Sequence, residues 1–373
     1  MPDYSGMRWQ RSVGALFACV VLAVAMTTAS STWGAPGELT VSVIDVGQGD
    51  SIWVEFPNGK HMLIDAGDVA ADAEVLAFLR QHSTTRLNAL VVSHFDADHI
   101  GGMPPVIAAP DLQISEFWVS GQKTGEQQQT KLEDAVRDRG LTPTVKQEGM
   151  HGTMGGVKVD VLGPGSHVYS GKNNNSIVLR LTYGNVSFLF PGDMEKSERK
   201  ALGKDHPWTH ADVLKLAHHG SCTGTDCTFA QQVSPKYAVM SYAYGNRHQH
   251  PHQEAVNALT LAHAKLYGTA PHGTVTFTTD GVTLGPPQTT RQGTVAPCPH
   301  KLQCPSEKEK KAAGVTGPAG AAAAGTTLVG NSNTKVYHKA SCRHAPTGSN
   351  RIIFQSASEA NAQGYRACGT CKP

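Results

Sequence analysis

Residues 93–102 read SHFDADHIGG, with two histidines and two aspartates between His94 and His99. The stretch follows directly on the apolar run LNALVV, Leu87–Val92. Imidazole and carboxylate are the donors that borderline and hard divalent cations take. A short continuous apolar run marks a strand covered on both faces. A strand ending near Val92 would therefore deliver His94, Asp96, Asp98 and His99 to the loop at a strand end, where ligands habitually bind. Gly101 and Gly102 are expected to let the backbone turn tightly beneath the ions.

One cation takes about four to six ligands, and two need more than this loop supplies. The chain repeats the arrangement elsewhere. HMLIDAGD places Asp65 after Met62–Ile64, FLFPGDMEK places Asp193 after Phe188–Phe190, and ADVLKLAHHGS places His218 and His219 after Val213–Leu216. Each is an apolar strand delivering a polar side chain to what is expected to be a common edge.

Around these stretches strands and helices alternate from Leu39 to about Gly285. LTVSVIDVG, SIWVEF and KYAVMSY read as strands, and SIVLRLTYGNVSFLF as a hairpin around Gly184–Asn185. ADAEVLAFLRQH, QTKLEDAVRDRG and HQEAVNALTLAHAKLYG carry apolar residues at helical spacing. Two similar halves of this kind predict an α/β protein, two sheets packed together with helices outside. Residues 286–327 are rich in Pro, Gly, Ala and Lys and read as a linker. Residues 328–373 regain apolar and aromatic residues, as a separate small module would.

Net charge is +2, so bulk charge identifies no partner. Arg8 and Arg11, the apolar run Val13–Met26 and the small polar run TTASST have the form of an export signal over residues 1–31. That run is shorter than the roughly 20 residues a membrane span needs. The mature chain is expected to be periplasmic or secreted, with no stable membrane span. In an oxidising compartment Cys222 and Cys227, and Cys298 and Cys304, are close enough in sequence for local disulfides, although sequence does not fix the connectivity.

HFDADHIGG, LFPGD, LKLAHHGS and the early IDVGQGDS resemble the metallo-β-lactamase superfamily. More narrowly, they are similar to the hydrolase domain attached to the DNA-uptake channel ComEC, over Leu39–Gly285, with NNNSIVLRL and NRHQHPH included. The resemblance implies an αββα sandwich over a binuclear site, exported here without the channel. It implies His94 and Asp96 on one ion, Asp98 and His99 on the other, Asp193 bridging, and His218 or its neighbour His219 completing the second. Asp65 would orient a ligand by hydrogen bonding. Asp96 stands where the commonest superfamily loop has histidine, which shifts the expected metal toward Mn²⁺ or a mixed site, with Zn²⁺ still open.

Two close cations activate a water and hold the oxygens of a scissile group. Asp98 and Asp193 are the expected catalytic ligands. His248, His250 and His252 are expected to contact phosphate or protonate a leaving oxygen, His250 and His252 being the catalytic candidates, or simply to form a polar loop capping the helix near His252. Asn174, Asn175 and Ser176 are candidate substrate contacts, or simply a turn before a strand. The ComEC-like wording favours phosphodiester hydrolysis of DNA. The alternatives are hydrolysis of a phosphocholine ester, lactone or β-lactam, or an accessory role in DNA uptake through DNA binding alone.

In the tail, His338-x3-Cys342 and Cys368-x2-Cys371 offer four ligands to one structural Zn²⁺; a Cys368–Cys371 disulfide is the rival. The segment resembles the zinc-binding domain of the DNA-repair protein Ada, with His338 in place of its first cysteine, which puts a methyl-accepting role in doubt. Asn331–Pro373 holds six Lys/Arg against one acid, suited to non-specific phosphate contact.

Overall fold

The structure, a computed structural model, describes residues 37–205 and 210–295. Between 328 and 371 it describes all positions except 332, 340, 341, 343, 347–350, 355–359, 361–364, 369 and 370. The expected export signal, and Cys298 and Cys304, lie outside these residues.

Two large sheets form the body. The first has eight strands in the order Gln288–Thr289, Val275–Thr279, Leu39–Val43, Ile52–Glu55, His61–Ile64, Ala89–Val91, Phe117–Val119, Pro143–Val145. The second has seven, Lys265–Gly268, Tyr237–Met240, Val213–Lys215, Val186–Phe190, Val178–Tyr183, Val157–Gly163, His151–Met154. One flank of each sheet is parallel. In the first, His61–Ile64, Ala89–Val91, Phe117–Val119 and Pro143–Val145 run together. In the second the parallel set is Val186–Phe190, Val213–Lys215, Tyr237–Met240 and Lys265–Gly268.

The facing surfaces share one apolar layer. Val41, Val54, Met62 and Val91 from the first sheet meet Val159, Leu179, Phe188 and Val239 from the second. Outside the first sheet, Val75 and Leu79 of the helix Asp72–Gln81, and Leu132 and Val136 of the helix Gln127–Asp138, pack on Leu63 and Leu90. Outside the second, Phe229 and Val233 of Cys227–Val233 and Ala255 and Leu259 of Gln253–Leu261 cover Leu214 and Ala238. Helices therefore flank two stacked sheets, the αββα arrangement that the alternating pattern predicted.

Three expectations need correction. HQEAVNALTLAHAKLYG is not one helix: it ends at Leu261, and Lys265–Gly268 is the edge strand of the second sheet. The body also continues past Gly285. Gln288–Thr289 adds a strand beside Val275–Thr279, and Arg291 pairs with Asp45 at 2.6 Å. Composition hid this, because an edge strand and a salt bridge need few apolar residues. Finally, Cys227 is an exposed free thiol whereas Cys222 is disulfide-bonded, so those two are not partners.

The small module carries a four-stranded sheet, Arg351–Phe354, Leu328–Asn331, Val336–Lys339, Arg366–Ala367, over its own core of Leu328, Tyr337, Phe354, Ala360 and Tyr365. Among the described residues no helix is long and apolar enough to cross a membrane.

Phe188 is fully buried between the sheets, 6.3 Å in ring centroid from both Phe190 and Phe277. Urea denaturation should show Phe188→Ala destabilised by about 3–5 kcal/mol, the cost of a large core cavity. Val168→Ser, at a position 72% exposed, should stay within about 0.5 kcal/mol of the parent.

Candidate metal centre

The parallel strands end at one rim, and the polar side chains leave from there. Asp65 follows His61–Ile64, Ser93 and His94 follow Ala89–Val91, Asp193 follows Val186–Phe190, and His218 and His219 follow Val213–Lys215. Asp65 sits at φ 58, a left-handed backbone that few non-glycine residues adopt. Its carboxylate accepts from Ser93 N at 2.8 Å and Ser93 Oγ at 2.5 Å, and lies 2.8 Å from His99 Nδ1. The His99 ring is thereby fixed with Nε2 facing inward.

Asp96 occupies the N-cap position of the one-turn helix Ala97–Ile100, yet its side chain makes no capping bond. One oxygen lies 3.3 Å from His94 Nε2, and the other meets Lys172, whose ammonium also pairs with Glu126 at 2.7 Å. Gly101 and Gly102 lie in a turn with helical backbone angles. They are needed for close packing: a Cβ on Gly102 would stand 2.2 Å from Ala66 O. Gly49 has the same duty, with a Cβ position 2.1 Å from Asp98 O.

From the second half, His218 and His219 are consecutive left-handed residues at φ 50 and 54. Such residues cost about 1–3 kcal/mol each and persist only where surroundings over-determine them. Here His218 N donates to Gly192 O, Ser221 N to His218 O, and His252 N to Gly220 O. The turn aims His219 Nε2 at Asp98 Oδ2 (3.2 Å), His99 Nε2 (3.3 Å) and Asp193 Oδ2 (3.4 Å). Asp193 Oδ1 is 3.3 Å from His99 Nε2, while His94 Nε2 and His218 Nε2 lie 3.8 and 3.7 Å from Oδ2. His219 is buried, whereas the His218 side chain is 21% exposed and held by Glu195 at 3.2 Å.

This set of donors suits divalent cations. His99 and His219 each turn Nδ1 to a carboxylate, Asp65 or Asp50, which leaves two Nε2 lone pairs directed at one point. Donor atoms of Asp50, His99, Asp193 and His219 all lie within 4.8 Å of one another. His94 Nε2 and Asp193 Oδ1 are buried without a hydrogen-bond partner among the described residues. The surroundings also favour positive charge. Burial alone would lower His99 and His219, yet Asp193 together with Asp65 and Asp50 holds both well above the ordinary imidazole value. Burial would raise Asp96, but His94 and Lys172 bring it to about 2.

The other candidates lie around this centre. Asn173 Nδ2 reaches within 3.5 Å of the His218 ring. Asn174 bonds Glu195 and the Glu198 amide, and Asn175 bonds Tyr169 and Gly171. Ser176 Oγ bonds Asn173 O and accepts from Asp193 N. The polar atoms of Asn174, Asn175 and Ser176 thus hold the loop and the Asp193 backbone. His250 is buried, with ring centroids 5.2 Å from His218 and 6.0 Å from His219. Burial, then His218 and His219, pushes it far below the usual imidazole range. His252 Nδ1 accepts from Cys222 N and its Nε2 meets His248 O, so its ring serves the local backbone.

In the small module, donor atoms of His338, Cys342, Cys368 and Cys371 lie within 4.8 Å of one another. None of Cys342, Cys368 and Cys371 is in a disulfide, so none joins Cys368 to Cys371.

Residues 44–244 match the family described as the metallo-beta-lactamase superfamily. The chain belongs to that superfamily. Its tail, residues 319–373, matches the metal binding domain of Ada. Among curated relatives, ComE operon protein 3 of Bacillus subtilis is 30% identical over 64% of this chain and 32% of its own length. Competence protein ComA of Neisseria gonorrhoeae is 32% identical over the same shares. The chain thus spans about a third of the length of these superfamily relatives. Among solved structures, the metallo-beta-lactamase fold protein YhfI of Bacillus subtilis is 12% identical with a TM-score of 0.47, covering 65% of this chain and all of that one.

Sequence reading missed Asp50, Lys215, Lys172 and Glu198. A signal existed for two of them: Asp50 lies in the quoted IDVGQGDS, and Lys215 is a lone charge inside an apolar strand. Glu198 is fully buried under the Asn174–Ser176 loop, 3.3 Å from Ser176 N, and burial holds its carboxyl well above 4.5. A raised folded-state value means that its contribution is complete below the ordinary value and is lost as pH climbs through the folded one. Glu198→Gln, which stays neutral, should match the parent's thermal midpoint near pH 4 and exceed it increasingly toward pH 8. Parallel curves across that range would contradict a protonated buried Glu198.

Proposed function

We propose that this superfamily hydrolase is an exported binuclear metal-dependent phosphodiesterase acting on DNA. The observation that carries the reading is the convergence of His94, Asp96, Asp98, His99, Asp193 and His219 on one rim, most of them buried and three of the six carboxylates. His94 and Asp96 would hold one ion, Asp98, His99 and His219 the other, with Asp193 between them. His219 rather than His218 is the assignment for the second ion, because only His219 closes on Asp98, His99 and Asp193 together. Two divalent ions there, Zn²⁺ or Mn²⁺, would lower the pKa of a water and draw negative charge from a phosphodiester.

The chain's own groups do the rest. Asp65 fixes the His99 ring, and Ser176 Oγ holds the Asp193 amide. Asp98, 26% exposed, reaches solvent and can accept a hydrogen bond from the attacking water. His218 and Asn173, both partly exposed beside the centre, are assigned to the arriving phosphate. His250, neutral at physiological pH, is assigned as a hydrogen-bond donor to substrate rather than as a proton source.

DNA as substrate rests on the likeness to competence proteins and on the basic tail. There His338, Cys342, Cys368 and Cys371 would hold one structural Zn²⁺, and the excess of Lys and Arg in that sequence suits non-specific phosphate contact.

With Mn²⁺ or Zn²⁺, the purified chain should cleave linear DNA and bis-nitrophenyl phosphate. Asp193→Ala should lower both by about 10³-fold or more, the worth of several kcal/mol of metal-supplied stabilisation, with an unchanged circular dichroism spectrum. Turnover of a β-lactam or lactone without diester turnover would overturn the substrate class. Replacing Cys368 and Cys371 by Ser should weaken binding to long DNA in a gel-shift assay and leave turnover of the small diester intact.

A further inference from the structure

Beneath His219 lies a fully buried ion pair that no expected ligand assignment uses. Lys215, 1% exposed, ends the strand Val213–Lys215, and its ammonium lies 2.8 Å from Asp50 Oδ1. It also donates to Leu216 O at 3.0 Å. The same Asp50 oxygen is 3.2 Å from His219 Nδ1. Removing both charges from water is costly, and a hydrophobic pair of similar volume often serves a core as well. A charged pair at this depth, in contact with a candidate ligand, therefore calls for a role.

Asp50 is close enough to His99, Asp193 and His219 to count as a fourth ligand. Its contacts point elsewhere. The oxygen that faces His219 Nδ1 is already taken by Lys215, and an ammonium beside that oxygen opposes a second cation. His219 also presents its other nitrogen to Asp98, His99 and Asp193, away from Asp50.

We infer that Asp50 and Lys215 are positioning residues for His219, and that Asp50 is not itself a ligand. Asp50 keeps the proton on His219 Nδ1 and the Nε2 lone pair inward. Lys215 holds Asp50 in place and, through Leu216 O, braces the chain just before the left-handed His218–His219 turn. Asp50 also ties this support to the first loop, since its amide donates to Asp98 O at 3.1 Å. One residue thus fixes a second-half histidine and a first-half carboxylate. The partner of His99 differs: Asp65 receives Ser93 N and Ser93 Oγ.

The inference rests on the metal-centre reading above, and the test separates the two. The full chain is titrated with Co²⁺; the weak absorption of oxygen- and nitrogen-bound Co²⁺ reports the body, and intense thiolate charge transfer reports the module. Four forms are compared: the parent, Asp193→Ala, Asp50→Asn, and the double variant Asp50→Asn with Lys215→Met. The double variant leaves no unpaired buried charge and should keep the parent's thermal midpoint. It should still bind Co²⁺ in the body about 10–100-fold more weakly, the usual loss when a ligand's supporting partner is removed. The module's thiolate band should not move. Affinity in the double variant within about twofold of the parent would overturn the positioning role, whatever Asp193→Ala does. A parent body that binds no Co²⁺, or an Asp193→Ala form that binds as tightly, would instead remove the metal centre and the inference with it. If the double variant does not fold, Asp50→Asn alone decides by the same two thresholds.

Discussion

Three carboxylates, those of Asp50, Asp65 and Asp193, are almost wholly removed from water within one small region. Uncompensated charge at such depth is far too costly to keep, so positive charge must stand among them. The protein meets this need in two ways. The Lys215 ammonium stands 2.8 Å from Asp50, while His99 and His219 are held in a state that favours a proton or a cation. The surrounding fold serves this electrostatic demand: the parallel strands bring the acids to one rim, and the strained turn at His218–His219 supplies the imidazole that faces them.

How far this was legible in the sequence depends on the kind of signal each residue left. Clusters such as His94–His99 are dense enough to stand out, and apolar strands that end in Asp or His mark the rim. Asp65 could be named from LIDAG alone, and the structure places its carboxylate against Ser93 and His99. Between His218 and His219 the sequence could not choose, because one residue apart on a regular element would point them to opposite sides. Two left-handed residues in succession bring both rings to the same centre, and only three-dimensional distances separate them.

The residues that escaped reading are mostly those whose role is contact with another polar residue far along the chain. Lys172 meets Asp96, Glu198 meets Ser176, and Asp50 meets Lys215, pairings that leave no periodicity. Similarly, Gly49 and Gly102 are legible as glycines but not as points of close approach, since the atoms they make room for belong to other loops. The edge strand Gln288–Thr289 was missed for a related reason: one exposed and one half-buried polar residue carry no hydrophobic pattern.

The body is laced together over long distances. Leu39–Val43 pairs with Val275–Thr279, and the Ser42 and Thr276 hydroxyls meet across a separation of 234 residues. The donor side chains are likewise divided, with His94 to His99 in the first half and Asp193 and His219 in the second. A nascent chain that has emerged only to the middle holds an open sheet and four of the six donors. Closing such remote pairings is slow, and the complete set of donors comes together only with that closure.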